Sequence, residues 1–284
     1  MSMTSTRLSV KTETGASLAE LADRHVLYQQ SVQDVESEID FVEQTWSELR
    51  QRPARLRRED FCGTANTSCE WVGRDDDYQA VGVDLDQDVL EWGRLHNLEE
   101  LTQDQSKRIE LMHEDVLHAR PGLVDIVLAM NFSYYLFLKR YQLREYFENA
   151  LDGLVSDGIL FLDAYGGYEA PMVLTEPREC EDTDGQPFTY IWEQASFNPI
   201  DSCMTCNIHF EFPDQSRMNQ AFSYYWRLWT LPEIEEILYE AGFSKVDIYW
   251  EGTDEDKNEG NGIYTPAKTG DADPGWVCYI VAQA

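Results

Sequence analysis

The sequence predicts an α/β protein: an open, mostly parallel sheet with flanking helices, carrying an antiparallel β insertion after the fifth strand. Three observations lead there. Strand-like and helix-like runs alternate between about residues 55 and 165, the signature of parallel strands joined by crossover helices. Arg58-Glu59-Asp60-Phe61-Cys62-Gly63-Thr64-Ala65 joins the first strand to its helix through a tight glycine turn, and the next strand, Tyr78–Leu85, presents Asp84 at its end. From about Tyr168 to Trp229 the alternation stops and β-rich runs follow one another.

In chain order, residues 1–16 are polar and expected to fray. From Ser17 to about Gln51 apolar residues recur at helical spacing (Leu18, Leu21, Ala22, then Val32, Val35, Ile39, Val42, Trp46, Leu49), which predicts two helices. Arg55–Phe61 is the first strand, although Arg57, Arg58, Glu59 and Asp60 stand where a central parallel strand carries apolar residues. Buried charge must be paired or face a ligand, so this run points to function more than to fold. Helical residues from Asn66 to Gly73 precede the strand that ends at Asp84. Asp86–Glu99 is a helix with Asp86 as its N-cap. Arg108–Met112 is the third strand, running into His113-Glu114-Asp115-Val116. Val124–Met130 is the most continuously apolar strand and leads to Asn131-Phe132-Ser133-Tyr134. A helix over Lys139–Leu154, a turn over Gly153–Gly158 and a fifth strand, Ile159–Ala164, complete the alternating part.

The insertion reads as an antiparallel meander of three runs, Phe188–Phe197, Met204–Phe212 and Met218–Trp229, broken at Asn198-Pro199 and Pro213-Asp214. Leu231–Ala241 follows as a helix, with Pro232 in its first turn and Gly242 as its stop. Phe243–Glu251 and Trp276–Ala282 are two closing strands, and the acidic, Gly- and Asp-rich residues 252–275 between them read as a solvated loop.

Composition narrows the partners. The chain's 284 residues suffice for a full core, and 43% hydrophobic content describes a packed globule. A net charge of −31 argues against nucleic acid and anionic membranes, which require a basic footprint. No secretory signal and no apolar run of membrane-spanning length are present, so a cytoplasmic protein with reduced thiols is expected. Cys203-Met-Thr-Cys206 with His209 has too few ligands for a structural zinc site, so no metal is expected.

The turn selects a ligand. A small-residue turn lets backbone approach a ligand, and a carboxylate on the next strand accepts ribose hydroxyls. Asp84 lies 21 residues after Gly63, the spacing of one strand–helix–strand step. A dinucleotide fingerprint needs three glycines; here Phe61 and Ala65 flank the one glycine, and a diphosphate would meet a crowded turn. The stretch resembles motif I of the class I S-adenosylmethionine-dependent methyltransferases, an acidic residue followed by G-C-G-T-G, with Glu59 as the acid and Cys62-Gly63-Thr64-Ala65 in place of C-G-T-G.

The resemblance implies a Rossmann-like seven-stranded sheet, and S-adenosyl-L-methionine as cofactor with S-adenosyl-L-homocysteine as product. It implies an N-terminal helical lid (1–54), a cofactor-binding core (55–167 and 230–284) and an insertion (168–229) serving as substrate cap or dimer element. Tyr28 and Gln33 become lid contacts, and Arg58 and Glu59 candidates for the amino-acid end of the cofactor and for pairing with each other. Cys62, Gly63, Thr64 and Ala65 form the turn, Asp84 and Leu85 the ribose end, and Asp115 and Val116 the adenine edge. Asn131 and Phe132 stand where methyl donor and acceptor meet. Tyr134, Tyr165, Trp192 and Arg227 are candidate substrate contacts. Tyr134, Glu193 and His209 are candidate bases for methyl transfer to a small-molecule amine or hydroxyl. A homodimer through the insertion is a further expectation. The alternatives are a nicotinamide-dependent oxidoreductase, which the missing glycines disfavour, and a non-catalytic cofactor-binding or assembly protein.

Overall fold

The computed structural model describes residues 15–254 and 259–284, so the fraying expected for residues 1–16 falls almost wholly outside the described residues. The helices are α1 (Leu18–Leu21), α2 (Arg24–Ser31), α3 (Val35–Leu49), α4 (Asn66–Arg74), α5 (Gln87–His96), α6 (Gln103–Ser106), α7 (Arg140–Asp152) and α8 (Leu231–Ala241). The strands are β1 (Leu56–Asp60), β2 (Gln79–Asp84), β3 (Ile109–His113), β4 (Val124–Ala129), β5 (Leu154–Gly166), β6 (Leu174–Glu181), β7 (Pro187–Asn198), β8 (Cys203–Glu211), β9 (Arg217–Arg227), β10 (Lys245–Asp254), β11 (Glu259–Ala267) and β12 (Trp276–Gln283). The chain divides into two compact units. The larger comprises Val35–Ala170 and Arg227–Ala284, the smaller residues 15–34 with Pro171–Trp226. The boundary between Asp34 and Val35 cuts through the N-terminal segment expected as one piece.

The larger unit holds a sheet of order β11-β10-β12-β5-β4-β1-β2-β3. β1 to β5 run parallel, and β12 lies antiparallel to both β5 and β10. The chain leaves β1 toward β2 and β3, then returns to β4 on its other side. The strand order thus reverses at β1, and ligands of such sheets bind at the carboxyl ends beside that point. Ile39, Val42 and Trp46 of α3 and Trp71 and Val72 of α4 pack with Ile126, Leu128, Ile159, Phe161 and Val281 of the sheet to form a core. Each such aliphatic side chain contributes about 1.5–3 kcal/mol on burial. The expected N-cap and stop are present: Asp86 accepts from the N–H groups of Asp88 and Val89, and Gly242 ends α8 in the left-handed region; Thr230 and Glu233 add a capping box.

Among the described residues this sheet has eight strands, where seven were expected. Residues 252–275 were expected as loop, yet β10 continues to Asp254 and β11 folds back on it, with Trp250 opposite Thr265. Alternation explains why: Tyr264 packs on the core while Ile263 points outward, 62% exposed. The Gly and Asp content concealed a hairpin.

The smaller unit is a four-stranded sheet, β6-β7-β8-β9, with β7 antiparallel to both β6 and β8. Leu27 of α2 packs with Phe188, Ile208, Phe210 and Ala221. β6 is not apparent from the sequence because Leu-Thr-Glu-Pro-Arg-Glu-Cys-Glu is almost entirely polar and exposed. It is an edge strand, where charge and proline are tolerated. Among the described residues no helix is long and apolar enough to cross a membrane.

Candidate functional site

The β1–α4 turn has an unusual backbone. Phe61, Gly63 and Ala65 all adopt left-handed conformations, with φ of 58°, 53° and 57°. The turn thus keeps the left-handed backbone at the three places where the resembled motif has glycine, although only one glycine remains. Each non-glycine residue there costs on the order of 1–3 kcal/mol, so the surroundings must impose the shape. The Cys62 N–H donates to the Val83 carbonyl (3.1 Å) and the Ala65 N–H to the Cys62 carbonyl (2.8 Å). The Gly63 N–H donates to Asp84 Oδ2 (2.8 Å), and Asn97 Nδ2 to the Thr64 carbonyl (2.8 Å). Gly93 of α5 lies so close to Thr64 that no Cβ fits between them.

Beside this turn opens a cavity of about 630 Å³, lined by Phe61, Asp84, Leu85, Asp86, Gln87, Asp88, Asp115, Val116, Leu136 and Phe137. Its size is that of a small-molecule site. Its polar groups include four carboxylates and no cation, which repels phosphate. Its apolar walls suit a flat, uncharged ring. Asp84 also accepts from the Asp86 N–H at 2.9 Å. Burial raises its pKa, and these two amide bonds oppose the shift. A carboxylate offers about four acceptor sites, so Asp84 can brace the turn and still accept ligand hydroxyls. Asp115 is 40% exposed and accepts from the Leu117 N–H at 2.9 Å. Sequence reasoning missed Leu136 and Phe137, whose only signal was an apolar pair just after Tyr134-Tyr135.

The four charges of β1 resolve into two buried pairs on opposite faces. Arg57 Nη2 meets Glu59 Oε2 at 3.2 Å, Ser68 Oγ donates to the same oxygen, and the guanidinium lies 5.5 Å from the Trp71 ring centroid. Arg58 grips Asp60 through Nε–Oδ1 (2.6 Å) and Nη2–Oδ2 (3.1 Å). Arg58 therefore pairs with Asp60 and not with Glu59. Neighbouring strand residues point to opposite faces, and its side chain is only 1% exposed.

After β4, Asn131 and Phe132 are consecutive left-handed residues, with φ of 57° and 56°. Their N–H groups donate to Asp163 Oδ2 (2.7 Å) and Oδ1 (2.8 Å). Burial pushes Asp163 up to about 7 against the pull of these two bonds. A raised carboxyl pKa means that the folded protein retains a proton the unfolded chain releases near pH 4, so this residue makes stability fall as pH rises from about 4 to about 7. Asp163→Asn should flatten that stretch of the stability profile measured by urea unfolding. An unchanged slope would refute the assignment.

No family model and no curated protein sequence matches the chain. Solved structures do. An S-adenosylmethionine-dependent methyltransferase from Clostridium acetobutylicum aligns over 91% of this chain and 96% of its own, at 16% identity and a TM-score of 0.64. The fold is that of the S-adenosylmethionine-dependent methyltransferases. An amino pentose methyltransferase from Micromonospora echinaspora, solved with S-adenosylmethionine bound, aligns over 92% and 96% at 13% identity and 0.63. A sugar N-methyltransferase from a Streptoalloteichus species aligns over 100% and 98% at 16% identity and 0.62.

Within this methyltransferase fold the larger unit gathers Phe61, Asp84, Leu85, Asp115 and Val116 at one cavity. The Cys62 thiol instead points into the sheet. It is 2% exposed, its Sγ would lie 2.8 Å from a Cβ at Gly82, and burial raises its pKa well above the usual thiol range. Thr64 and Ala65 are likewise buried and contribute backbone. Tyr134, expected as a base and substrate contact, is fully buried: its hydroxyl donates to the Asp163 carbonyl at 2.7 Å, and burial raises its pKa well above the usual phenol range. Tyr165 is half-buried, its ring against Phe132 at 4.8 Å and stacked on Tyr135. Arg227 donates to Glu233 (2.8 Å) and lies 3.7 Å from the Trp229 ring centroid.

The other candidates belong to the smaller unit. Tyr28 packs against Phe222 at 4.9 Å, and Trp192 joins the same aromatic cluster; Gln33 follows α2. Both ring nitrogens of His209, an expected base, are engaged within the smaller unit. The Gln220 N–H donates to its Nδ1 at 3.0 Å, which leaves Nε2 to donate to Glu193 Oε2 at 3.1 Å. Glu193 also accepts from Asn207 Nδ2 (2.7 Å), and the Asn207 and His209 bonds lower its pKa.

Proposed function

We propose that the protein transfers a methyl group from S-adenosyl-L-methionine to a small molecule bearing an amine. The observation that carries this reading is the β1–α4 turn, left-handed at all three glycine places of the motif and tied to Asp84 through the Gly63 N–H. A Cβ built on Gly63 meets no protein atom within 4 Å, so the turn has room for a close ligand. In this reading Asp84 takes the ribose hydroxyls, while Asp115 and the Val116 backbone take the adenine edge. Leu85, Leu136 and Phe137 flank the base. Glu59, 9% exposed at its side chain, is the acid offered to the amino end, and Asn131 and Phe132 line the approach to the methyl group. S-adenosylmethionine supplies an electrophilic methyl on a sulfonium. The protein's part is to orient donor and acceptor in line and exclude water; the lone pair of the neutral amine takes the methyl as the sulfonium S–C bond breaks, S-adenosyl-L-homocysteine leaves, and the proton of the methylated amine passes to water. Two features favour an amine acceptor: the net charge of −31, and likeness to an amino pentose methyltransferase and a sugar N-methyltransferase.

Calorimetric titration with S-adenosylhomocysteine and with NAD, at low and high salt, tests the cofactor. Saturable binding of S-adenosylhomocysteine alone is expected. Binding of NAD alone would make the protein a dehydrogenase, and binding of neither by folded protein would leave an assembly role.

A further inference from the structure

The Arg58–Asp60 pair occupies the central strand of a parallel sheet, where apolar residues pack without the desolvation penalty of a charge. Replacing a buried ion pair by apolar residues of similar volume is often neutral or stabilising, so stability alone does not explain its presence. What the pair supplies, and apolar residues cannot, is a set of directed bonds to the cavity wall. Besides gripping Asp60, Arg58 Nη2 donates to the Val116 carbonyl at 3.2 Å. That carbonyl also accepts from Asn149 Nδ2, and Arg120 binds Asn149 Oδ1 and the Ala119 carbonyl in turn. Tyr146 donates to Asp60 Oδ2 at 3.0 Å, and its ring lies against Phe61 (5.6 Å) and stacks on Phe137 (5.2 Å). Val116, Phe61 and Phe137 are three of the residues that line the cavity. The guanidinium also sits at the carboxyl end of α7: a Cβ on Gly153 would lie 3.2 Å from Arg58 Nη1 and 3.5 and 3.6 Å from the Ala150 and Asn149 carbonyls. The negative end of the helix dipole favours a cation there.

We propose that Arg58, Asp60 and Tyr146 are positioning residues which, from beneath the cavity, hold the Asp115–Val116 edge and the Phe61–Phe137 wall in register with the β1–α4 turn. This rests on reading the cavity as the adenosyl site. The charged strand is then a feature of ligand binding even though none of its Arg58-face atoms touches ligand.

The test compares the full chain with the double variant Arg58→Met/Asp60→Leu and with Tyr146→Phe. Three quantities are followed: Tm, Kd for S-adenosylhomocysteine, and amide exchange over residues 115–119. The double variant is expected to fold with a Tm no more than modestly below the parent's, since the Tyr146 hydroxyl loses its acceptor, to bind S-adenosylhomocysteine at least tenfold more weakly, and to exchange faster over 115–119. Tyr146→Phe, which removes one hydroxyl, should weaken binding about threefold with little change in Tm. A folded double variant with the parent's Kd and exchange rates overturns the proposal and leaves the methyltransferase reading intact. Should the double variant not fold, unchanged Kd in Tyr146→Phe overturns it. Should the parent itself not bind S-adenosylhomocysteine, the cofactor reading falls, and the exchange rates alone decide whether the pair orders the segment.

Discussion

Gly63→Val is expected to abolish S-adenosylhomocysteine binding while the protein remains folded. Gly63 has φ of 53°, and a Cβ there meets no protein atom within 4 Å, so the substitution makes no internal clash. The backbone penalty is tolerable because Phe61 and Ala65 already hold left-handed conformations in the same turn. A β-branched residue is worse suited to that region, so a loss of about 2 kcal/mol is expected, within the range for such strain. The branched side chain would instead fill the space through which a ligand approaches the turn. Affinity should fall by more than about 100-fold, equivalent to roughly 3 kcal/mol, with Gly63→Ala intermediate. Calorimetry and thermal unfolding on the same samples separate the two effects. Parent-like affinity in a folded Gly63→Val variant would mean that the turn does not cradle the cofactor.

Arg57→Leu is expected to produce the largest loss of stability. It leaves Glu59 buried with its Ser68 bond but without a counter-charge. Removing one partner of a buried pair costs about 3–5 kcal/mol, or roughly 10 °C in Tm for a domain of this size. Burial already raises the Glu59 pKa, and Arg57 is the leading influence that lowers it. Without Arg57 the folded-state pKa rises further. Below about pH 4.3 the carboxyl is protonated in folded and unfolded states alike. Above that pH the unfolded chain releases a proton that the folded variant must retain or lose at a cost, so its stability declines as pH rises. The deficit against the parent should therefore be larger at pH 8 than at pH 5 in urea unfolding. Equal deficits at both values would show that Glu59 is not the group left stranded.

Much of this fold is legible in the sequence because it depends on near neighbours. The alternation of strand and helix, the turn at Gly63, the step to Asp84 and the caps at Asp86 and Thr230 are set by periodicity, by turn residues and by side chains bonding within three residues. Strand parity is legible too. Arg57 shares a face with Glu59, and Arg58 with Asp60, so the two-residue repeat of a strand by itself speaks against the expected Arg58–Glu59 pair.

The remainder depends on residues far apart in the chain. Nothing local to Tyr134 says that the Asp163 carbonyl will take its hydroxyl, nor that the Gln220 amide will occupy His209 Nδ1. Both residues look like catalysts because they are chemically able, and both are bonded into their surroundings. Edge strand β6 escapes notice because exposure removes the apolar alternation by which strands are recognised, and β11 because the Gly and Asp around it mask the alternation it has. Pattern and spacing are enough to specify the parallel strands, the turn after β1 and the place of the candidate site, since each is encoded within one strand–helix–strand step. Which charges neutralise one another, which walls close the cavity and which polar groups are already engaged emerge only when the chain is folded. Those outcomes rest on contacts across the fold, such as Arg58 with Val116 and Asp163 with Asn131.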